Sequence, residues 1–559
     1  MTEELDLLKA IAGKRGESKS GAQRRGRFKA SIISTFNAYL PFYEDVVLRR
    51  LVASGCHYNV LLLDSGEFSQ GLSTATTWPR MAGRSYTLVP MQARGAFHPK
   101  VALLVGKKSA CVFVGSHNVT LSGFGANREL TTQVDLPKGS EDPYAPLAQA
   151  VWTYLEVWLN HQVDHVPQSI LQGALRVATS FAPWLEAEGL QSGDVRFVGN
   201  LPEEGSLWDS VRPMLPEKAK EVVVIGPFFD RAARFLQTIS RDLRPDSMVV
   251  GVEPKTVGFC RQESLPKGAR VVDVSKLGRG SGYLHAKVLW VNGGAGDEAL
   301  ITGSANPSSP AWTEYSSRRN AEACLVHLGE SARSLTTTLG LRSIDSMPEL
   351  GIEEILAIDQ RVDQAHQDQE KTQSKSIVAA EAKEEEIFLH CKGLAMEEVK
   401  DVRCWDLKKD NWRVVKTIRY DCHGFFVEMP PKEVATTQFL EVNFVDGRRL
   451  RAFVHHPASI AKLSRPVKQE RFREALDSLD SESPDLSVLI RLASNLIFDE
   501  DTPELKTKST LGKRKTKLRT EGESPIDSLS VPIGETKQYA HRARQLRGDD
   551  LSYIIDTLI

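Results

Sequence analysis

The sequence predicts an α/β protein whose two duplicated halves form one central site, followed by a small C-terminal β domain and a helical, partly disordered tail. Three observations carry this expectation. Phe97-His98-Pro99-Lys100 leads into an apolar run, and Tyr283-Leu284-His285-Ala286-Lys287 leads into another. Each copy is succeeded by Gly-Ser-x-Asn, at Gly115-Ser116-His117-Asn118 and Gly303-Ser304-Ala305-Asn306, and then by Asn-x-Glu, at Asn127-Arg128-Glu129 and Asn320-Ala321-Glu322. Strand-length apolar runs surround both copies in the same order, which a repeat of one α/β unit explains most economically.

A chain of 559 residues exceeds what one core organises, and 41% hydrophobic with 26% charged residues is an ordinary globular balance. No apolar run reaches the roughly 20 residues that span a bilayer. Met1-Thr2-Glu3-Glu4 opens no signal peptide, so a cytoplasmic protein without membrane attachment is expected. Seven cysteines, an odd number without a CxxC pair, read as reduced thiols. His390, Cys391, Cys404, Cys422 and His423 have ligand types but not finger spacing, so no metal and no cofactor is expected there.

In order, residues 1–28 form a basic N-terminal arm with a short amphipathic start. Residues 29–175 form the first half. There Tyr43 to Val52 has helical spacing, Tyr58 to Asp64 is a buried-strand run, and strands are predicted at Tyr86–Val89, Lys100–Val105, Ala110–Val114 and Thr132–Asp135. A helix from Tyr144 to Leu159 closes the unit. Residues 176–345 repeat the pattern, with strands at Glu221–Gly226, Met248–Val252, Arg270–Val274, Lys287–Val291, Ala299–Thr302 and Ala321–His327, and a helix at Asp230–Leu243. Residues 346–383 turn to Gln, Glu, Lys and Asp and read as a charged linker or helix. Residues 384–460 carry short strand-like runs and an Asp446-Gly447 hairpin signal, as in a small sandwich or barrel. Residues 461–559 form a tail with helices at Val467–Leu479, Leu486–Phe498 and Tyr539–Ile559 around a disordered basic segment at 504–527.

The formal net charge of −1 decides nothing about nucleic acid, but its distribution is uneven. Lys14, Arg15, Lys19, Arg24, Arg25, Arg27 and Lys29 form one basic stretch; Lys506, Lys508, Lys513, Arg514, Lys515, Lys517 and Arg519 form another. Such runs bind phosphate backbones or serve as solvated tails, and composition alone fits both.

With the halves facing, one pocket holds His98, His285, Lys100, Lys287, Ser116, Ser304, Asn118 and Asn306. Two imidazoles among two ammonium groups and amide donors make an anion site with chemistry in it. One neutral imidazole can attack phosphorus while the other, protonated, gives its proton to the leaving oxygen. The lysines and asparagines would stabilise charge on the non-bridging oxygens. Ser116 and Ser304 read either as phosphate contacts or as turn residues. Glu129 and Glu322 occupy matching positions for a carboxylate that orients each imidazole. Phe97, Tyr283 and Trp78 could line a stacking groove or belong to the core; Phe228-Phe229 reads as core, and His117 is given no role.

The duplicated His-x-Lys and Gly-Ser-x-Asn set resembles the phospholipase D superfamily. The resemblance covers residues 30–345 and implies phospholipase D-like α/β halves with the site at their interface, working as a phosphodiesterase without a metal. The full family motif carries an Asp five residues after the Lys, where this chain has Val105 and Asn292. That departure resembles the tyrosyl-DNA phosphodiesterase branch and some family nucleases. By the resemblance His98 is the nucleophile and His285 the general acid, with His285 looking to Glu322 or another acceptor for its orientation.

The expected function is a nuclease cleaving DNA, or secondarily RNA, through a phosphohistidine, within a bacterial genome-defence complex with a helicase or ATPase partner. Two other readings stay open: a phospholipid phosphodiesterase, and a nucleic-acid-binding scaffold subunit that recruits the helicase or ATPase. Oligomeric state is open as well, since two motifs in one chain complete a site in a monomer.

Overall fold

Apolar runs without polar alternation belong to strands covered on both faces, and the computed structural model places them so. It describes residues 7–12, 27–74, 79–278, 282–294, 296–315, 318–358, 379–390, 399–406, 411–415, 417–421, 424–447 and 449–463. In the first half β1 (Ala30–Thr35), β2 (Tyr58–Asp64), β3 (Thr87–Met91), β4 (Val101–Gly106) and β5 (Ser109–Gly115) are buried throughout, while β6 (Thr131–Leu136) is a half-covered edge. Their order is β3-β2-β1-β4-β5-β6. The first three pair in parallel and the rest antiparallel.

The second half repeats this with one strand added. After β7 (Val195–Gly199) come β8 (Glu221–Ile225), β9 (Ser247–Val252), β10 (Ala269–Asp273), β11 (Val288–Gly294), β12 (Asp297–Gly303) and β13 (Ala323–Leu328). The order β10-β9-β8-β11-β12-β13-β7 reproduces the first sheet strand for strand and then adds β7 at its edge. Neither β1 nor β7 is marked by the sequence pattern as a strand of its own.

One helix joins the halves. Ala145–Asn160 buries Val151, Trp152, Leu155 and Trp158 in a cluster that holds Phe97, Val101 and Val112 of the first half with Phe197, Ala321 and Leu325 of the second. The Trp158 indole N–H donates to the Asn200 carbonyl at 3.0 Å. A shared apolar core of this kind fixes the halves far more firmly than scattered polar contacts would.

Two boundaries differ from expectation. The stretch expected as a charged linker or exposed helix does contribute a helix, over 352–358, but its Ile355 and Ile358 enter the second half's core. Its end, β14 (Ala379–Ala382), already belongs to the third sheet. Apolar spacing within a charged stretch was masked by composition. The third sheet continues with β15 (Glu386–His390), β16 (Val399–Asp406), β17 (Asn411–Val414), β18 (Thr417–Asp421), β19 (Gly424–Glu428), β20 (Thr437–Phe444) and β21 (Arg449–His455). It is one eight-stranded sheet, ordered β17-β16-β20-β21-β14-β15-β19-β18, rather than two separate layers. Side chains of both wings, among them Val402, Leu440, Leu389 and Val427, enter one cluster, so the sheet curls over its own core.

This sheet is fastened to the first half. Arg84 donates to Gln438 Oε1 at 2.9 Å and to the Thr437 carbonyl at 3.1 Å, and Gln438 Nε2 donates to the Ala82 carbonyl at 2.8 Å. The predicted tail helices and the segment 504–527 lie outside the described residues, as do Cys391, Cys422, His423 and Trp78. Among the described residues no group of His, Cys, Asp and Glu could hold a metal ion, and no helix is long and apolar enough to cross a membrane.

Candidate active site

The two His-x-Lys segments do not begin their strands as the apolar pattern suggests. β4 starts at Val101 and β11 at Val288, one residue after each lysine. The preceding backbone is taken by the opposite half. His98 N–H donates to the Ala321 carbonyl at 3.0 Å, and His285 N–H donates to the Arg128 carbonyl at 3.0 Å. Each His-x-Lys of one half is therefore laced to the Asn-x-Glu of the other.

That lacing decides which carboxylate meets which imidazole. His98 Nδ1 lies 2.9 Å from Glu322 Oε2 and 3.1 Å from Oε1. His285 Nδ1 lies 2.9 Å from both oxygens of Glu129. Of the acceptors left open for His285, Glu322 or another, it is Glu129 that orients it: the dyads cross between halves, because the backbone pairing that presents each glutamate is itself crossed. A carboxylate accepts only, so Nδ1 carries the proton and Nε2 keeps its lone pair.

Behind the dyads the copies match atom for atom. Ser116 Oγ donates to Glu129 Oε2 at 2.5 Å and accepts from Leu130 N–H at 3.0 Å. Ser304 Oγ donates to Glu322 and accepts from Ala323 N–H at 2.9 Å. Both serines are fully buried and each hydroxyl proton is already committed, so the phosphate-binding role expected of Ser116 and Ser304 is replaced by holding the glutamates. Asn127 Nδ2 reaches Glu129 Oε1 at 3.1 Å and Asn320 Nδ2 reaches Glu322 Oε1 at 3.2 Å. These asparagines were legible as the first member of each Asn-x-Glu, but nothing in the sequence alone assigns them the carboxylate.

The glycines before the serines are required by close approach. A Cβ on Gly303, at φ +154°, would lie 2.4 Å from the Ala323 carbonyl oxygen, and one on Gly115 would lie 2.2 Å from Thr131 Oγ1.

Lys100 and Lys287 are buried, and each ammonium donates to the carbonyl of its own histidine, at 3.0 and 2.7 Å. Burial pushes Lys100 down to about 8 against the attraction of Glu322 and Glu129. Lys287 is lowered further by burial and then by the charge of Lys100, which places both cations in one electrostatic site. Burial lowers His98 to about 4, the Glu322 carboxylate opposing and Lys100 and Lys287 adding to the fall. His285 is lowered by burial too, with the Glu129 hydrogen bond working against it. Burial would raise Glu129, but His285, Lys287 and the Ser116 hydroxyl overcome it and hold the carboxyl at about 2. Glu322 is lowered for the same reasons by His98, Lys100 and Ser304.

Asn118 and Asn306 each lie three residues beyond the end of their strand, with different neighbours. Asn118 Oδ1 faces Thr35 Oγ1 and Asn37 N–H, both at 3.4 Å, whereas Asn306 Oδ1 is buried without a hydrogen-bond partner. Phe97 is a core residue, its ring 5.8 Å from Trp158, and does not line a groove. Tyr283 does stand at the site, with its ring 5.8 Å from that of His285. Phe36, which the sequence did not single out, packs edge-on to His98 at 5.1 Å and lies under Lys100. Phe228 is 48% exposed rather than core; Phe229 alone is buried. His117 is another buried imidazole, 2.8 Å from Thr131 Oγ1, and it feels Glu129, Lys100 and His285.

No family model and no curated protein matches the chain. Among solved structures, yeast tyrosyl-DNA phosphodiesterase is similar at 14% identity over 57% of this chain and 84% of that one, with a TM-score of 0.39. Phosphatidylserine synthase from Haemophilus influenzae is similar at 11% identity over 65% of this chain and 91% of that one, TM-score 0.39. Polyphosphate kinase from Porphyromonas gingivalis is similar at 12% identity over 66% of this chain and 53% of that one, TM-score 0.35. Identities and scores are low, and the weight rests on the chain's own repeated sheet order and paired motifs. The two halves share one sheet order and one set of motifs. At this site the two imidazoles, two ammonium groups and two anchored carboxylates can bind an anion and pass a proton across it.

Proposed function

We propose that the chain is a metal-independent phosphodiesterase that cleaves nucleic acid, DNA before RNA, through a phosphohistidine. The observation that carries the reading is the pair of crossed dyads, His98 with Glu322 and His285 with Glu129, beside Lys100 and Lys287.

A histidine lowered to about 4 is neutral at neutral pH, and with its Nδ1 proton on Glu322 the lone pair of Nε2 is the nucleophile. His98 Nε2 attacks phosphorus as the bond to the leaving oxygen breaks and the His285 Nε2 proton passes to that oxygen. His285, now neutral, takes a proton from water; the water oxygen attacks phosphorus, and the P–N bond breaks to restore His98. Lys100 and Lys287 hold the non-bridging oxygens, and an arriving phosphodiester anion favours the charged forms of both lysines and of His285, which then carries a proton on each ring nitrogen.

The oxygens of both glutamates already accept from histidine, serine and asparagine, and two cations lie beside them. Such a site attracts an anion and repels a divalent cation. Support for nucleic acid over lipid comes from the basic runs at 14–29 and 506–519 and from Val105 and Asn292 at the positions of the family Asp. Within the first run, Arg27 is held by Asp135 at 2.7 Å and is not available to a phosphate.

Purified chain should cut labelled single-stranded DNA in EDTA, and His98→Ala and His285→Ala should abolish the cut. Cleavage only with added divalent metal, or headgroup release from phosphatidylcholine vesicles with no cut of DNA or RNA, would contradict the proposal.

A further inference from the structure

One break in the symmetry of the two dyads lies inside the Asn-x-Glu motif. Between the asparagine and the glutamate, the first half has Arg128 where the second has Ala321. The Arg128 side chain is 9% exposed and points across the boundary into the second half. Its Nε donates to the Gly282 carbonyl at 2.9 Å, its Nη1 to the Ser275 and Leu277 carbonyls at 3.0 Å, and its Nη2 to Glu253 Oε1 at 3.0 Å. Glu253 in turn accepts the Leu284 N–H at 3.2 Å, on the residue next to His285. The Arg128 backbone adds its carbonyl to the N–H groups of His285 and Ala286, at 3.0 and 3.1 Å.

The matching place in the other half has a carboxylate but no arginine reaching across to it. Phe97 N–H, next to His98, is taken by Asp64 at 2.8 Å within the first half, and Ala96 N–H by Asn320 Oδ1 at 3.0 Å. Ala321 contributes only backbone. A guanidinium is the side chain suited to this duty, because its rigid fork satisfies several carbonyls and a carboxylate at once, which a lysine cannot do.

We infer that Arg128 is a positioning residue for His285 alone: it sets the imidazole against Glu129 and against the leaving oxygen, and leaves His98 untouched. The inference rests on the proposed division of labour, in which His285 gives its Nε2 proton to the leaving oxygen while His98 Nε2 bonds to phosphorus. A general acid matters in proportion to the basicity of the leaving group. Misplacing His285 therefore harms the release of an alkoxide more than the release of a nitrophenolate, which leaves without a proton.

The test compares thymidine 5′-(4-nitrophenyl) phosphate with a thymidylyl dinucleotide on the same preparation of each variant. The ratio of the two kcat/KM values does not depend on how much of the protein is folded. For Arg128→Ala and Arg128→Lys the dinucleotide rate is expected to fall at least about tenfold more than the nitrophenyl rate, a part of the effect a well-placed acid supplies. Both changes should also flatten the limb of the dinucleotide pH profile that reports His285. Equal losses on both esters, or no loss on either, would overturn the inference while leaving the phosphodiesterase reading intact. Wild-type protein that turns over neither ester would overturn both.

Discussion

The two halves of the molecule share a sheet order and a motif, yet differ in the shell that holds the motif in place. In each, serine and asparagine fix a glutamate, and that glutamate orients the histidine of the opposite half. Around this matched centre, His285 has Arg128 behind it and Tyr283 beside it, whereas His98 has Phe36 beside it and Ala321 behind it. Asn118 is engaged by Thr35 and Asn37, while Asn306 Oδ1 has no partner. Duplication supplies two equivalent groups able to attack or to donate a proton; the unequal shells are what can give them unequal roles.

The largest expected effects break the crossing itself. Glu322→Gln and Glu129→Gln should each lower kcat by about a hundredfold or more, since a glutamine holds the wrong tautomer behind its imidazole. They should differ in kind: Glu322→Gln should slow both good and poor leaving groups, as a defect in His98, and Glu129→Gln should slow poor ones selectively, as a defect in His285. Next comes pH. With His98 at about 4 and His285 lowered from 6.5, kcat/KM should rise as His98 loses its proton near pH 4 and fall as His285 loses its own below 6.5. An optimum on the acid side of neutrality is expected from a pH series on the dinucleotide, and a rate still climbing above pH 8 would contradict it. Gly303→Ala should then lower stability by about 1–3 kcal/mol through overpacking and strain at positive φ, read as a fall in Tm. The smallest effect is Phe36→Ala, which removes a ring from His98 and Lys100. A loss of about two- to fivefold in kcat/KM follows from a contact worth roughly 0.5–1 kcal/mol.

Much of this was legible in the sequence because repetition is informative where a single motif is not. Tyr58–Asp64 is a strand over the range its apolar run marks, and the His, Lys and Glu of both copies gather at one site. What the sequence could not supply was the exchange between halves. Crossed backbone pairing leaves no trace in spacing, so Glu322 looked like a partner for His285 until the pairing of Arg128 with the His285 backbone was visible. The serines misled for a related reason: a hydroxyl in a Gly-Ser turn looks the same whether its proton serves a phosphate or a buried carboxylate. Phe36 and Arg128 were passed over because their work is done across the fold, far from their own neighbours in sequence.

The most direct test of the crossed site is to trap the covalent intermediate. Thymidine 5′-(4-nitrophenyl) phosphate, whose nitrophenolate leaves without a proton from His285, is mixed with protein, quenched in base, which preserves a P–N bond, and the adduct is mapped by peptide mass. The account predicts an adduct on His98 that accumulates in both His285→Ala and Glu129→Gln and is absent in His98→Ala and scarce in Glu322→Gln. An adduct that accumulates in Glu322→Gln in place of Glu129→Gln, or no histidine adduct in active protein, would contradict it.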